Sequence, residues 1–433
     1  MLRLSCLAIF ALLQLTPQAW ADASWMGNTI RLAPDVYNSG DLTKQDSDYS
    51  EVVFGSAKTA AQQSEPSCAF EQATLALSAS PNLADARRVL GYSKSGTGEW
   101  LTPFQAKQRE RGYRWHARFG WLKPDEVARY EAGERRVGRR WVTAEEDAER
   151  HAKIDEGWTV RTDHFAVTTN HSLEAGARLA AELEDVFQVW RQMFAGYWLS
   201  DREVAALFEG ERNARKRSRP MQVYYHRDRE GYVAHLRRRQ PRIGETLGIY
   251  FDAQRESHFF HTDNPEQRDQ LRATLYHEAA HQLFAENGPG RRGAGRDANF
   301  WLIEGVACYF EMLAPVAGEA RFTLGDPAQG RLPSAVVDGP AAPLAELAPL
   351  GRTDLQRRTD LAAVYAQATG LVAMLRHGEP ADREALVRTL RAVYGGRPDG
   401  EELARQTGRS LAELDRDYAR FLKGFDVAEQ APE

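Results

Sequence analysis

Hydrophobic positions along the chain are unevenly spaced, and the clearest pattern lies in its second half. Leu271, Leu275, Ala279 and Leu283 recur every fourth residue, which places them on one face of a helix. Asp263-Asn264-Pro265-Glu266 supplies a start: a capping amide, a proline in the first turn and an acid at the positive dipole end. Asn287-Gly288 supplies a stop, so a buried helix is predicted from about Pro265 to Glu286. Upstream, the β-branched and aromatic run Trp158 to Thr169 reads as strands, and Leu179, Leu183, Phe187 and Trp190 predict a helix over about Ser172 to Phe194. Strands are expected at Met221 to Tyr225 and at Thr246 to Phe251, the second pairing with Ser257 to His261. Helices are expected near Leu361 to Arg376, Arg383 to Val393 and Leu411 to Gly424.

The first half divides differently. Arg3 precedes an apolar run from Leu4 to Leu15, and Ala19-Trp20-Ala21 gives the small-x-small pattern of a cleavage site, so residues 1–21 read as a signal peptide. That run is too short to span a bilayer, and an exported, periplasmic or extracellular protein is expected. Residues 22–84 are polar and read as irregular and partly mobile, with only Thr74 to Leu77 hinting at order. Across residues 85–157 the tryptophans crowd (Trp100, Trp115, Trp121, Trp141, then Trp158), which suggests a small domain using large side chains to build a limited core. No strict period emerges, so no repeat is expected. The remaining residues, 158–427, form the predicted main domain.

Chemistry concentrates in the predicted helix. His277-Glu278-Ala279-Ala280-His281 puts two imidazoles four residues apart, on one helix face, where both can meet one metal ion while Glu278 points to the open side. Zinc in such a site takes a third protein ligand and keeps a fourth position for water, whose pKa it lowers towards ~7. Glu304, in Trp301-Leu302-Ile303-Glu304-Gly305, is the candidate. It lies 23 positions beyond His281, across a Gly- and Arg-rich loop that lets a second helix fold back. Glu278 would accept the water proton and deliver it to the leaving amine.

These residues resemble the gluzincin metallopeptidases, in which His-Glu-x-x-His is completed by a Glu from the next helix. Glu304-Gly305-Val306-Ala307-Cys308-Tyr309-Phe310-Glu311 is similar to the Glu-Gly-Phe-Ala-x-Tyr-x-Glu run of the aminopeptidase-N-type branch. That likeness implies one zinc ion held by His277, His281 and Glu304, and Glu311 orienting a zinc-bound histidine. Val364-Tyr365-Ala366-Gln367-Ala368-Thr369-Gly370 resembles the tyrosine-bearing helix of the same branch, which implies that Tyr365 donates to the oxyanion of the tetrahedral intermediate. The chain also departs from that branch. Where those enzymes carry Gly-x-Met-Glu-Asn, it has Gly248-Ile249-Tyr250-Phe251-Asp252, so the amine-gripping Glu is missing. A strand through Gly248, Ile249 and Tyr250 still pairs with an extended peptide by edge addition, and an endopeptidase is favoured over an N-terminal exopeptidase. The resemblance extends to uncharacterised secreted bacterial proteins with a peptidase-MA-like domain, over roughly the C-terminal two thirds. It implies an α+β fold: a small mixed sheet, a zinc-binding helix pair and a C-terminal helical bundle, preceded by the small Trp-rich domain.

Composition adds limits. At 433 residues and 42% hydrophobic content there is enough chain for two modest domains. The net charge of −5 implies no nucleic-acid field, and the basic runs Arg212 to Arg219 and Arg237 to Arg242 read as solvated faces. The expected partner is a peptide or protein substrate, with no membrane span. Cys68 and Cys308 are left open as a pair; Cys308 reads as core packing, with a thiolate in place of Glu304 as a minor alternative. His164 and His171 lack ligand spacing and read as structural. Two rival functions stay open: a catalytically silent binding or envelope-associated protein on the same fold, and a zinc amidase acting on a non-peptide amide.

Overall fold

Strands rich in β-branched and aromatic residues assemble the sheet that supports the helix pair. β1 (Trp158–Arg161), β2 (Phe165–Thr169), β3 (Met221–His226), β4 (Gly248–Phe251) and β5 (Glu256–Phe260) lie in the spatial order β4-β5-β3-β2-β1. β3 runs parallel to both β2 and β5, whereas β1 and β4 are antiparallel to their neighbours, so the sheet is mixed and β4 is an edge. In this computed structural model the described residues are 28–38, 47–211, 219–289, 293–326, 329–396 and 399–428. The leader expected over residues 1–21 lies outside them. Among the described residues no helix is long and apolar enough to cross a membrane.

α1 (Leu173–Met193), capped by the Ser172 side chain, buries Leu179, Leu183, Phe187 and Trp190, the face its spacing predicted. α2 (Arg229–Leu236) covers the other side of the sheet, with Tyr232 and Leu236 buried against Phe260. α3 (Pro265–Asn287) starts where Asn264 accepts a hydrogen bond from the Glu266 N–H, as its sequence signature required. It ends at the expected stop, Asn287-Gly288, but without a left-handed glycine. Gly288 has φ −117°, and a Cβ there would meet the Tyr197 ring at 2.2 Å, so the glycine serves a close approach. α4 (Phe300–Phe310) is buried on every side, which marks it as the central element. α5 (Leu361–His377), α6 (Pro380–Tyr394) and α7 (Leu411–Ala428) complete the bundle packed on it.

Two expectations for the first half are corrected. The described part of residues 22–84 is largely helical rather than irregular: helices Ser47–Gln62 and Pro66–Ala79 pack on each other through Ala57, Ala60, Ala61, Ala69, Ala73 and Ala76. Alanine made that face look weakly hydrophobic in sequence, yet it lets helix backbones come close. These helices share their core with Leu199, Val204 and Phe208 from beyond residue 157. The Ser67 N–H donates to Glu384 on α6 at 2.9 Å, and Glu71 pairs with Arg376 on α5.

Nor do the tryptophans of residues 85–157 build a separate core, since Trp100, Trp115, Trp121, Trp141 and Trp158 are all only half-buried. The stretch is instead a repeat. Hairpins Ser93–Lys94/Trp100–Leu101, Arg114–His116/Gly120–Leu122 and Glu134–Val137/Arg140–Thr143 are each followed by a short helix. Each unit is entered through a glycine at positive φ (Gly91 +86°, Gly112 +84°, Gly133 +88°), 21 positions apart, a conformation that disfavours a side chain. Trp100, Trp121 and Trp141 sit on the second strand of each hairpin.

Candidate metal centre

α3 carries His277 and His281 one turn apart, and α4 packs against it with Glu304 facing the pair. His277 Nε2 and His281 Nε2 stand 3.1 Å apart. The Glu304 carboxylate reaches His277 Nε2 at 3.7 Å and His281 Nε2 at 3.8 Å. A tetrahedral zinc ion with bonds of about 2.0–2.2 Å separates its ligand atoms by about 3.3–3.6 Å, so the three observed spacings bracket that figure. The side chains are 14%, 16% and 10% exposed, leaving the centre a narrow opening to solvent.

The surrounding hydrogen bonds orient the donors. His277 Nδ1 lies 2.8 Å from Glu311 Oε1, which turns Nε2 towards His281 and Glu304. His277, Cys308 and Glu311 also lie close enough to hold an ion. Arg331 decides against that second set: its Nε is 3.4 Å from Glu311 and its charge acts on Cys308, so a cation already faces those groups. Cys308 is a free, buried thiol on the Nδ1 side of His277. It therefore neither pairs with Cys68 nor takes the place of Glu304.

The environment sets the two imidazoles apart. Burial opposes charge on His277, but hydrogen bonds to Cys308 and Glu311 prevail and hold its pKa well above the ordinary value. Burial and the neighbouring His277 push His281 well below it. Burial raises the carboxyl of Glu304, partly offset by His277 and by a hydrogen bond from Tyr365.

Glu278, one residue along α3 from His277, turns towards edge strand β4. Its Oε2 accepts the Tyr250 N–H at 2.7 Å, and burial raises its pKa. Gly248 and Tyr250 lie on edge strand β4, beside the centre, while the Ile249 side chain turns away to pack with Tyr232 and Leu236. Tyr365, from α5, hydrogen-bonds Glu304, and burial together with that carboxylate raises its pKa. The helix positions of the motif residues, Glu311 and Tyr365 are therefore brought together around one point.

Arg331 and Arg352 went unnoticed in the sequence. Arg352 is exposed, begins a short helix, and its charge lowers the pKa values of His281, Glu278 and Glu304. No motif flags either residue, because both arrive from loops distant in sequence. His164 and His171 lie apart from the centre: His164 stacks on Phe187 and bonds Glu184, and His171 stacks on His261. A small cavity beneath Ala33, Tyr92 and Arg191 and an open groove along Arg140 to Arg150 do not involve these residues. Compared with known proteins, the chain matches no family model and no curated protein.

Proposed function

We propose that the chain is an exported zinc-dependent peptidase of the gluzincin type, acting as an endopeptidase on extended peptide or protein segments. The observation that carries this reading is the convergence of His277, His281 and Glu304 at tetrahedral ligand spacing, with Glu278 one residue along the same helix. His277 and His281 through Nε2 and Glu304 through its carboxylate would hold the ion. A bound zinc ion supplies Lewis acidity, which acidifies a water and polarises the scissile carbonyl.

The chain's own groups do the rest. Glu278, its pKa raised by burial, takes the proton of the attacking water and passes it to the leaving amine. Glu311 holds the His277 ring in place through Nδ1. The Tyr365 hydroxyl donates to the oxygen that gains charge in the transition state. Edge strand β4 offers the outward backbone of Gly248 to an extended substrate, the Tyr250 N–H being held by Glu278, which favours extended chains of any sequence over a free amino terminus. The mixed sheet, buried helix pair and C-terminal bundle support the same assignment.

Glu278 also weighs against a silent binding protein, because metal ligation alone does not require an acid at this position of the motif. Zinc analysis combined with hydrolysis of an unbiased peptide library tests the proposal. Glu278→Gln is expected to keep the metal and lose turnover; equal activity in both proteins refutes the mechanism. Cleavage of non-peptide amides alone, with no peptide cut, would transfer the site to the amidase reading.

A further inference from the structure

The sheet carries a second cluster of imidazoles on the face turned away from α3. On β5, Ser257 faces α3, its hydroxyl donating to Gln282 at 2.8 Å, so the next residue, His258, projects from the opposite face. β3 and β5 pair in parallel with Tyr224 opposite His258 and His226 opposite Phe260, which puts His226 and His258 on the same face, diagonally adjacent. Both are 1% exposed. His235 comes down to them from α2, the helix covering that face. The three ring centroids form a near-equilateral triangle with sides of 5.3, 5.5 and 5.8 Å.

We propose that His226, His258 and His235 form a second transition-metal site, independent of the centre on α3. Three imidazoles on one tetrahedral ion, each bonded at about 2.0–2.1 Å, place their ring centroids about 5 Å apart. His226 Nε2 and His258 Nδ1 are 3.2 Å apart, close to the 3.1 Å between the two ligand histidines of the first centre. The far nitrogen of His258, Nε2, is buried without a hydrogen-bond partner and lies 3.6 Å from Glu256 Oε2, the oxygen that also accepts from Arg239 at 3.0 Å. Coordination through Nδ1 puts a proton on that nitrogen and directs it at the carboxylate, the arrangement that steadies metal-bound histidines. Burial, with the neighbouring imidazoles, holds His226 at about 3 and His258 at about 2, so both rings present neutral donors.

His235 completes the set by turning its side chain. As the rings stand, the three nitrogens do not all lie within ligand spacing of one another. His235 is exposed on α2, so rotation about its side-chain bonds meets no packed neighbour on its outer side. All-nitrogen ligation selects a borderline cation such as zinc, nickel or copper over magnesium or calcium. An ion there would tie α2 to β3 and β5, and through β5 would steady the edge strand β4.

Native mass spectrometry of the full chain titrated with Zn2+ counts the sites. The expected stoichiometry is two ions in the wild type, one in His235→Ala, one in His277→Ala and none in the double variant. His235 is exposed, so its removal leaves the core intact and the count interpretable. A single ion that is lost in His277→Ala and kept in His235→Ala overturns this proposal and leaves the first centre standing. A single ion with the reverse pattern supports it and overturns the first centre. Two ions retained in His235→Ala overturn it as well.

Discussion

Replacing Gly305 by alanine puts a methyl group between the helix that carries Glu304 and the helix that carries Tyr365. The new Cβ would stand 2.8 Å from the carbonyl oxygen of Ala368, 3.0 Å from its carbonyl carbon and 3.1 Å from its Cβ. Ordinary contact begins near 3.4 Å, so α4 and α5 must part by about 0.6 Å. The two closest atoms are backbone, and no rotamer change relieves them. Overpacking of this kind costs about 1–3 kcal/mol, against about 0.8–1.0 kcal/mol recovered by removing a glycine from a helix. The net destabilisation is therefore small, about 0–2 kcal/mol, and the protein stays folded. Its site suffers more, because ligand constellations tolerate displacements of only about 0.5 Å. Zinc affinity is expected to fall at least ~10-fold and peptide turnover ~100-fold. Urea unfolding measures the first effect, and competition with a zinc chelator plus peptide kinetics measures the second. Gly55→Ala is the control: it lies exposed in helix Ser47–Gln62 with nothing within 4 Å of the added Cβ, and should gain about 0.5–1 kcal/mol without altering metal binding. Wild-type zinc affinity and turnover in Gly305→Ala would refute the claim that the α4–α5 approach positions Glu304.

Further outcomes follow from other parts of the structure. Glu311→Ala frees Nδ1 of His277, and zinc affinity should drop ~10–100-fold while the fold persists; an unchanged dissociation constant in chelator competition contradicts the positioning role. Burial lifts the Glu384 carboxyl from 4.5 to about 7, so between those values the folded chain binds a proton that the unfolded chain has released. Stability is thus full below pH 4.5 and falls as pH rises through about 7, by at most ~3 kcal/mol at 1.36 kcal/mol per pKa unit. Glu384→Gln should flatten that decline in denaturant titrations, and an equal slope in both proteins counts against the assignment.

The helix of the metal motif was legible because several independent signals agreed: a capping Asn264, Pro265, and apolar residues every fourth position. β4 and β5 were legible as a pair for similar reasons, and they proved antiparallel with Tyr250 opposite Ser257. The helices at Ser47–Gln62 and Pro66–Ala79 were not, because alanine carries little hydrophobic signal and their partners, Phe208 and Glu384, lie far along the chain. The hairpin repeat was not legible because tryptophan spacing drifts between units; the constant feature is the glycine at positive φ that opens each one. Arg331 and Arg352 reach the candidate centre from a loop and from the start of a short helix, and His226 and His258 meet only through strand pairing. Such juxtapositions depend on sheet order and loop path, which local patterning does not encode.

The proposed function requires His277, His281 and Glu304 to share one ion. Crystals of the chain grown with zinc, measured on both sides of the zinc absorption edge, test it directly. An anomalous peak is expected within about 2.0–2.2 Å of both Nε2 atoms and the Glu304 carboxylate. A map with no peak among these three side chains, under zinc in excess, contradicts it.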